Sequence, residues 1–361
     1  MSLHRRTLTT TIATLTAALA IGAPASAPAS AASDPSGARK LNSTVLAPFQ
    51  VAVRRGTVYW TDGFAGTITR LGNRGPKVIA KVNGEIAGVA VSGKKLAYTN
   101  SPNKSFQRLT IRRPGRKAVV ANLRAYENNH NPDGNKTYGI ISGGNACARQ
   151  ALSEMTGAPA RYQGLKDSNP YQVEALPGGA WAVAEAGGNA ILRVNKRGRI
   201  STKAVLPRQA VTLTQKMVDA VDGPDCLVGV KYGFEPVPTD VERDGHGNLW
   251  VSLLPGGPED PSFGARGAIY KITKRGAVIR VSRGFLGASN LAVTPGGKVY
   301  VAELFNNRIS TLRRGRPVTV RSIARPVAVE VTKRNLFVGQ FAKTNQSGDI
   351  TGPGGVYRFP R

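Results

Sequence analysis

The stretch 169–206, NPYQVEALPGGAWAVAEAGGNAILRVNKRGRISTKAVL, constrains the fold more than any other, because it recurs in five degraded copies. It holds four strand-length runs of alternating or β-rich residues, at 171–176, 180–185, 190–195 and 199–205. Between them stand Pro177-Gly178-Gly179, Gly187-Gly188-Asn189 and Lys196-Arg197-Gly198, the residue types that reach positive φ and give tight hairpins polar tips. One copy therefore predicts a four-stranded antiparallel meander. Such a sheet cannot bury both its faces alone, so copies must stack, and at about 40 residues per copy the usual arrangement is a propeller.

Aligned on the second strand, the copies are anchored at Val58-Tyr59-Trp60, Leu96-Ala97-Tyr98, Trp181-Ala182-Val183, Leu249-Trp250-Val251, Val299-Tyr300-Val301 and Leu336-Phe337-Val338. Their spacings are 38, 85, 68, 50 and 37 residues. The first and last are one repeat. The longer ones carry insertions, chiefly 122–168 and 207–236, which show no four-strand pattern; 146–155 reads as a short helix. The last copy runs out before its outer strand, and Ser43-Thr44-Val45-Leu46-Ala47-Pro48 resembles Arg321-Ser322-Ile323-Ala324-Arg325-Pro326, which ends the fifth copy. The expected fold is thus all-β: a six-bladed β-propeller of four-stranded antiparallel blades over 41–361, closed by the N-terminal strand pairing with the last blade. Closure removes the exposed strand edges of an open fan.

The first residues read as a Sec-type secretory signal over 1–31: a basic His4-Arg5-Arg6 start, a short apolar run, and small residues ending Ala29-Ser30-Ala31, where cleavage is expected. The apolar run is shorter than the roughly 20 residues a membrane span needs. Residues 32–40 are expected to be a flexible linker, and the exported chain a monomer. Cleavage takes two arginines and no acid, lowering the net charge from +29 to +27. Cys147 and Cys226 are the only cysteines, and in an oxidising compartment such a pair is expected to form a disulfide.

In a meander, links between strands two and three and between copies emerge on one face, and the other hairpins on the opposite face. Every large insertion falls on the first face, where both cysteines would join into a lid for an unidentified ligand or protein. The other face is basic: Arg112, Arg113, Arg116, Lys117, Lys196, Arg197, Lys274, Arg275, Arg313 and Arg314 all fall in its turns. A field of one sign attracts anionic cell-wall polymers or membrane surfaces. No aromatics interleave these turns for stacking on bases, which argues against specific nucleic-acid binding.

The third positions of the first strands are Gln50, Gly88, Gln172, Asp240, Asn290 and Ala328. Of these Gln50, Gln172, Asp240 and Asn290 are the candidate ligand or metal-binding set. One carboxylate among amides is a poor offer to calcium, which takes about six to eight oxygens, so no cofactor is expected, with a divalent cation such as calcium the only one the set leaves room for. Asp62, Glu185 and Glu303 recur at one repeat position, which points to turn stabilisation in each copy. No serine or cysteine has an evident histidine and acid beside it, so no catalytic residue is assigned.

Asp167-Ser168-Asn169-Pro170-Tyr171, followed by Ala184-Glu185-Ala186-Gly187-Gly188-Asn189-Ala190-Ile191-Leu192-Arg193-Val194, resembles the hallmark of the ScyD/ScyE family of secreted bacterial proteins. Leu123-Arg124-Ala125-Tyr126-Glu127 with Asn131-Pro132-Asp133-Gly134, and Val237-Pro238-Thr239-Asp240-Val241, resemble that family's other blocks. The resemblance implies an exported propeller, related to NHL-repeat and gluconolactonase-like proteins, with no assigned activity. The chain departs from the family in its basic hairpins, its cysteine-bearing insertions and Asp240, where a small residue is expected. Two functions follow as expectations: a binding or scaffold protein, or a metal-dependent lactonase or hydrolase.

Overall fold

In a computed structural model, residues 37–345 and 347–361 are described; the expected secretory signal over 1–31 and residues 32–36 of the expected linker lie outside them. The chain is all-β, with six four-stranded antiparallel meanders. Sheet I comprises Val51–Arg54, Thr57–Asp62, Thr67–Gly72 and Gly75–Lys81; sheet II comprises Glu85–Ser92, Lys95–Asn103, Phe106–Arg113 and Arg116–Asn122. Sheet III comprises Pro170–Ala175, Trp181–Glu185, Ala190–Val194 and Ile200–Val205. Sheet IV comprises Pro238–Arg243, Leu249–Leu253, Gly267–Ile272 and Val278–Phe285, and sheet V Ala288–Val293, Val299–Glu303, Arg308–Arg313 and Arg316–Ser322. Sheet VI takes Pro326–Val331, Asn335–Gln340 and Gly355–Pro360 from the end of the chain, and Arg39–Asn42 from its start. Within sheet III the strands match the sequence reading to within a residue. Its turns hold Gly178, Gly179, Asn189 and Gly198 at positive φ, as tight hairpins require.

The strand that completes sheet VI is Arg39–Asn42, four residues before the segment 43–48 that the sequence suggests, and it takes in Arg39 and Lys40 of the expected linker. The Asn42 side chain explains the shift. Its Oδ1 accepts the Thr44 and Val45 N–H groups at 2.9 Å each, a local turn that ends a strand. Leu46 and Ala47 then donate their N–H groups to the Asp62 carboxylate.

Adjacent sheets share apolar layers. Ile68 of sheet I packs with Ile86 and Val89 of sheet II; Leu109 and Ile111 of sheet II meet Trp181 and Leu192 of sheet III. Ile191 meets Val251 between sheets III and IV, Ile269 meets Leu291 between IV and V, Ile309 meets Phe359 between V and VI, and Phe337 meets Trp60 between VI and I. Buried hydroxyls tie the first strands of sheets II, III, V and VI to the sheet before each. Thr61 Oγ1 donates to Ala87 O, Thr99 Oγ1 to Tyr171 O, Thr239 Oγ1 to Ala288 O and Ser289 Oγ to Pro326 O. Gly88 must be glycine, because a Cβ there would lie 2.8–2.9 Å from the Tyr171–Val173 backbone.

The insertions are less irregular than the sequence suggests. The first carries helix α1 (Leu123–His130), which the sequence reading missed, and helix α2 (Ala146–Thr156), which it expected to within a residue. Strands Arg161–Gln163 and Thr137–Ser142 from the first insertion pair with Lys231–Phe234 and Gln209–Thr212 from the second, making an accessory four-stranded sheet. The Cys147–Cys226 disulfide joins the same two segments, 79 residues apart in sequence.

Candidate functional site

The four wall residues singled out from sequence lie where the first strands approach one another, all buried, but their polar atoms mostly hold neighbouring backbone. The Asp240 carboxylate accepts the Val241 N–H at 2.7 Å and, across to sheet V, the Leu291 N–H at 3.0 Å. Asn290 Oδ1 accepts the Val329 N–H of sheet VI at 2.7 Å. Gln172 Nε2 donates to Phe49 O at 2.6 Å. What remains of the four is the buried amide oxygens Gln50 Oε1 and Gln172 Oε1 and the amide nitrogen Asn290 Nδ2; two neutral oxygens fall short of the six to eight or so that calcium takes. Above them, on the insertion side, the approach is filled by aromatic rings. Phe49 stacks on Phe341 at 6.2 Å and tilts against Tyr171 at 5.7 Å, and Phe64 caps Phe341 edge-on at 5.7 Å.

Two residues further along the same strands, Glu174, Glu242 and Glu330 line a cavity of about 60 Å³ that also touches Gln50 and Arg54. Strand alternation puts positions i and i+2 on one face, so these glutamates share a wall with Gln172, Asp240 and Ala328. Burial pushes the carboxyls of Glu174, Asp240, Glu242 and Glu330 up; repulsion from Glu174 adds to it at the other three, while Arg243 and Arg54 oppose it at Glu174. The period-two pattern would have found this set from sequence, where only Asp240 was credited.

A second acidic cluster lies under the insertions, and it gathers Glu127, Asp133, Glu185 and Glu235. Asn122 caps α1 by accepting the Ala125 N–H at 2.9 Å, and Leu123 and Glu127, one turn apart, form its buried face. Glu127 is 1% exposed, yet neither carboxylate oxygen has a hydrogen-bond partner. Facing it, Glu185 is fully buried and accepts the Ser168 hydroxyl and the N–H groups of Asn169 and Gly188.

Asn189, in the turn beside Glu185, is the hub of this cluster. Its Nδ2 donates to Asp133 Oδ2 at 2.8 Å and to Glu235 Oε2 at 3.2 Å, while its Oδ1 accepts the Val237 N–H at 3.0 Å. Tyr138 and Tyr162 donate their hydroxyls to Asp133 and Glu235, both at 2.9 Å. One turn of sheet III thereby fastens both insertions.

Burial first, then the nearby Glu185, Asp133 and Asp167, pushes Glu127 up to about 9; burial also raises Glu185 to about 7. Asp133 and Glu235 are raised by the same cause. Arg124, paired with Asp167 at 3.3 Å, sits at the partly exposed margin. Of the cluster, Glu127 therefore keeps its proton at neutral pH. Among the described residues no three His, Cys, Asp or Glu side chains gather closely enough to hold a metal ion.

Asp62 and Glu303 occupy the position of Glu185 in their own sheets and serve their turns, as the sequence reading expects. Asp62 accepts Leu46, Ala47 and Ala65 N–H groups; Glu303 accepts the Leu286 N–H and is paired with Arg308 at 2.7 Å. Of the ten cations named from sequence, Lys196, Arg197, Lys274, Arg275 and Arg314 lie in hairpin turns and the other five on the strand ends that flank them, nine exposed and Arg113 half-buried. Among the described residues none of the ten forms an ion pair.

No protein-family model matches the chain, and no curated protein matches it in sequence. Its fold is similar to solved propellers. A gluconolactonase from Xanthomonas campestris shares 11% identity over 91% of each chain, with a TM-score of 0.54. The PQQ-bound aldose sugar dehydrogenase of Streptomyces coelicolor shares 14% identity over 90% of this chain and 99% of its own, at a TM-score of 0.50. A putative gluconolactonase shares 13% over 91% of this chain and 93% of its own, also at 0.50. At such identities the likeness is one of architecture, and it places this chain among proteins of gluconolactonase-like propeller fold.

Proposed function

We propose that the chain is an exported binding or scaffold protein of the ScyD/ScyE kind, a six-bladed ring closed by its N-terminal strand. Its insertion-built face engages a ligand or protein, and its basic face docks on an anionic polymer or membrane surface of the cell envelope. The contacts of the first strands support the ring: sheet I touches II and VI, and III, IV and V follow between them in order. The pairing of Arg39–Asn42 with Gly355–Pro360 supports the closure.

The observation that carries the docking reading is the run of ten unpaired cations on one face, on a chain whose net charge is +29. Opposed carboxylates would cancel such a field at short range; here it extends into solvent, where salt screens it beyond about 8 Å at physiological ionic strength. Retention of the purified protein on isolated anionic wall polymer is therefore expected to fall steeply between roughly 0.05 and 0.5 M salt. The charge-reversed variant Lys196→Glu/Arg197→Glu/Arg313→Glu/Arg314→Glu should elute earlier. Retention that ignores both salt and these substitutions ends the docking reading.

The alternative, a metal-dependent lactonase, has the likeness to the Xanthomonas campestris gluconolactonase in its favour. Against it stand the engaged oxygens of Asp240 and Asn290 and the aromatic filling above them. Calorimetry with calcium and with zinc decides between the two: binding that disappears in Asp240→Ala would favour the hydrolase.

A further inference from the structure

Between sheets I and VI, on the basic face, lies a cleft of about 400 Å³, within the range of small-molecule pockets. Its floor is apolar. Leu41, Val53 and Leu71 are partly exposed there, and they pack on the buried side chains of Val58 and Phe337. Its rim is cationic: Lys333 and Arg334 stand exposed in the hairpin between the first two strands of sheet VI, and Arg358 is half-buried on Gly355–Pro360. Among the described residues no carboxylate lines the cleft, and none of these three cations forms an ion pair.

We infer that this cleft binds a long-chain fatty acid, the alkyl chain lying on Leu41, Val53, Leu71 and Phe337 and the carboxylate held by Lys333, Arg334 and Arg358. Each part of the ligand follows from the lining. Partly exposed aliphatic side chains gain from covering by an alkyl chain, at roughly 25 cal/mol per Å² of apolar surface removed from water. Lysine and arginine lay their own methylenes along such a floor while their charged ends stay in water, so the anionic head belongs at the rim. A cation-headed amphiphile would face three like charges. A sugar would find few hydrogen-bond partners on the floor, and a polyanion would use the rim and leave the floor exposed.

The inference goes beyond the docking reading and does not depend on it, since the ligand is a monomer in solution and its three cations are outside the ten already named. Calorimetric titration of the purified protein with sodium dodecanoate, below its micelle concentration, is expected to give saturable binding of one molecule per chain. Lys333→Ala/Arg334→Ala should weaken it roughly three- to tenfold, since each is an exposed charge contact. Leu71→Trp, which fills the cleft, should abolish it, with the melting temperature reporting that the fold survives.

Dodecyltrimethylammonium should give no saturable heat, and the reversal of Lys196, Arg197, Arg313 and Arg314 should leave dodecanoate binding intact. The inference is overturned by the absence of saturable dodecanoate binding, or by equal binding of the cationic amphiphile. Binding that neither Lys333→Ala/Arg334→Ala nor Leu71→Trp alters also overturns it. Binding only to phosphatidylglycerol vesicles, with none to dodecanoate, would replace the fatty acid by a membrane surface.

Discussion

Glu127 and Glu185 meet across the α-carbon of Gly188: a methyl group on that glycine would lie 2.6 Å from Glu127 Oε2 and 3.0 Å from Glu185 Oε2. Two carboxylates so close, and so far from water, cannot both be charged cheaply. Glu185 has three donors to stabilise its anion and Glu127 has none, so Glu127 keeps the proton longer.

The pH dependence of stability follows from that asymmetry. Glu127 and Glu185 are raised from an ordinary 4.5 to about 9 and about 7, so the folded chain holds these protons more tightly than the unfolded chain. Their stabilising contribution is complete below about pH 4.5 and is lost as pH climbs through about 7 and then about 9. Denaturant unfolding at pH 5, 7 and 9 should show decreasing stability along that series. Glu127→Gln, which cannot ionise, should remove part of the fall between pH 7 and 9, the raised carboxyls of Glu242 and Glu330 keeping the rest; a slope unchanged in the variant would refute the assignment.

The hydroxyl bridge from Thr99 to Tyr171 O, 2.8 Å long, also receives the Gly88 N–H at 2.8 Å. Thr99→Val keeps the shape and removes both bonds, leaving a buried carbonyl and a buried N–H without partners. The cost should be about 1–3 kcal/mol per orphaned group, read as a lower denaturation midpoint with an unchanged m-value. A loss below about 0.5 kcal/mol, the scatter of a neutral surface change, would mean that sheets II and III are held together by packing alone.

Sheet III was legible because its strands are fixed by what stands next to them: glycines and Asn189 at positive φ, and the alternation of Trp181, Val183 and Glu185. The accessory sheet was not, because its partners are short strands drawn from two insertions, and strands such as Arg161–Gln163 are too brief to carry a period. Repeat position singled out the wall residues, but the sequence could not say that Asp240 and Asn290 would hold the backbone of the next sheet. Glu127 and Asp133 were passed over because a polar insertion looks solvated until α1 turns Glu127 inward. The Asn122 cap and the spacing of Leu123 and Glu127 were the available signal.

Cys147 is the second residue of α2, and Cys226 sits in the short turn Asp225–Leu227. Their bond lies against the apolar cluster of Ile140, Ala148, Leu152, Val218 and Leu227, outside the layers between sheets I to VI. Cys147→Ser/Cys226→Ser should therefore loosen the insertions first. A loop of 79 residues corresponds to a chain-entropy loss of at most about 4.5 kcal/mol. Hydrogen exchange should speed up in Thr137–Ser142 and Lys231–Phe234 while Trp181–Glu185 stays protected; uniform acceleration would show that insertions and sheets unfold as one unit.

The short strand Arg39–Asn42 contributes more than its length suggests, because it covers the edge of Gly355–Pro360 and sets Leu41 beside Val53 and Leu71. A chain beginning at residue 37 should melt like one beginning at residue 32, since the residues removed precede this strand. A chain beginning at residue 43 loses the ladder bonds to Lys40 and its neighbours, and the burial of Leu41. At about 0.5–1.5 kcal/mol per backbone bond, plus a part of the about 1.5–3 that a fully buried leucine contributes, the loss should reach at least about 2 kcal/mol. It also leaves Gly355–Pro360 as an open edge, a template for pairing with other chains, so light scattering should rise with concentration for this variant alone. Equal melting of all three chains would show that sheet VI is stable with three strands and that the start of the chain does not lock the fold.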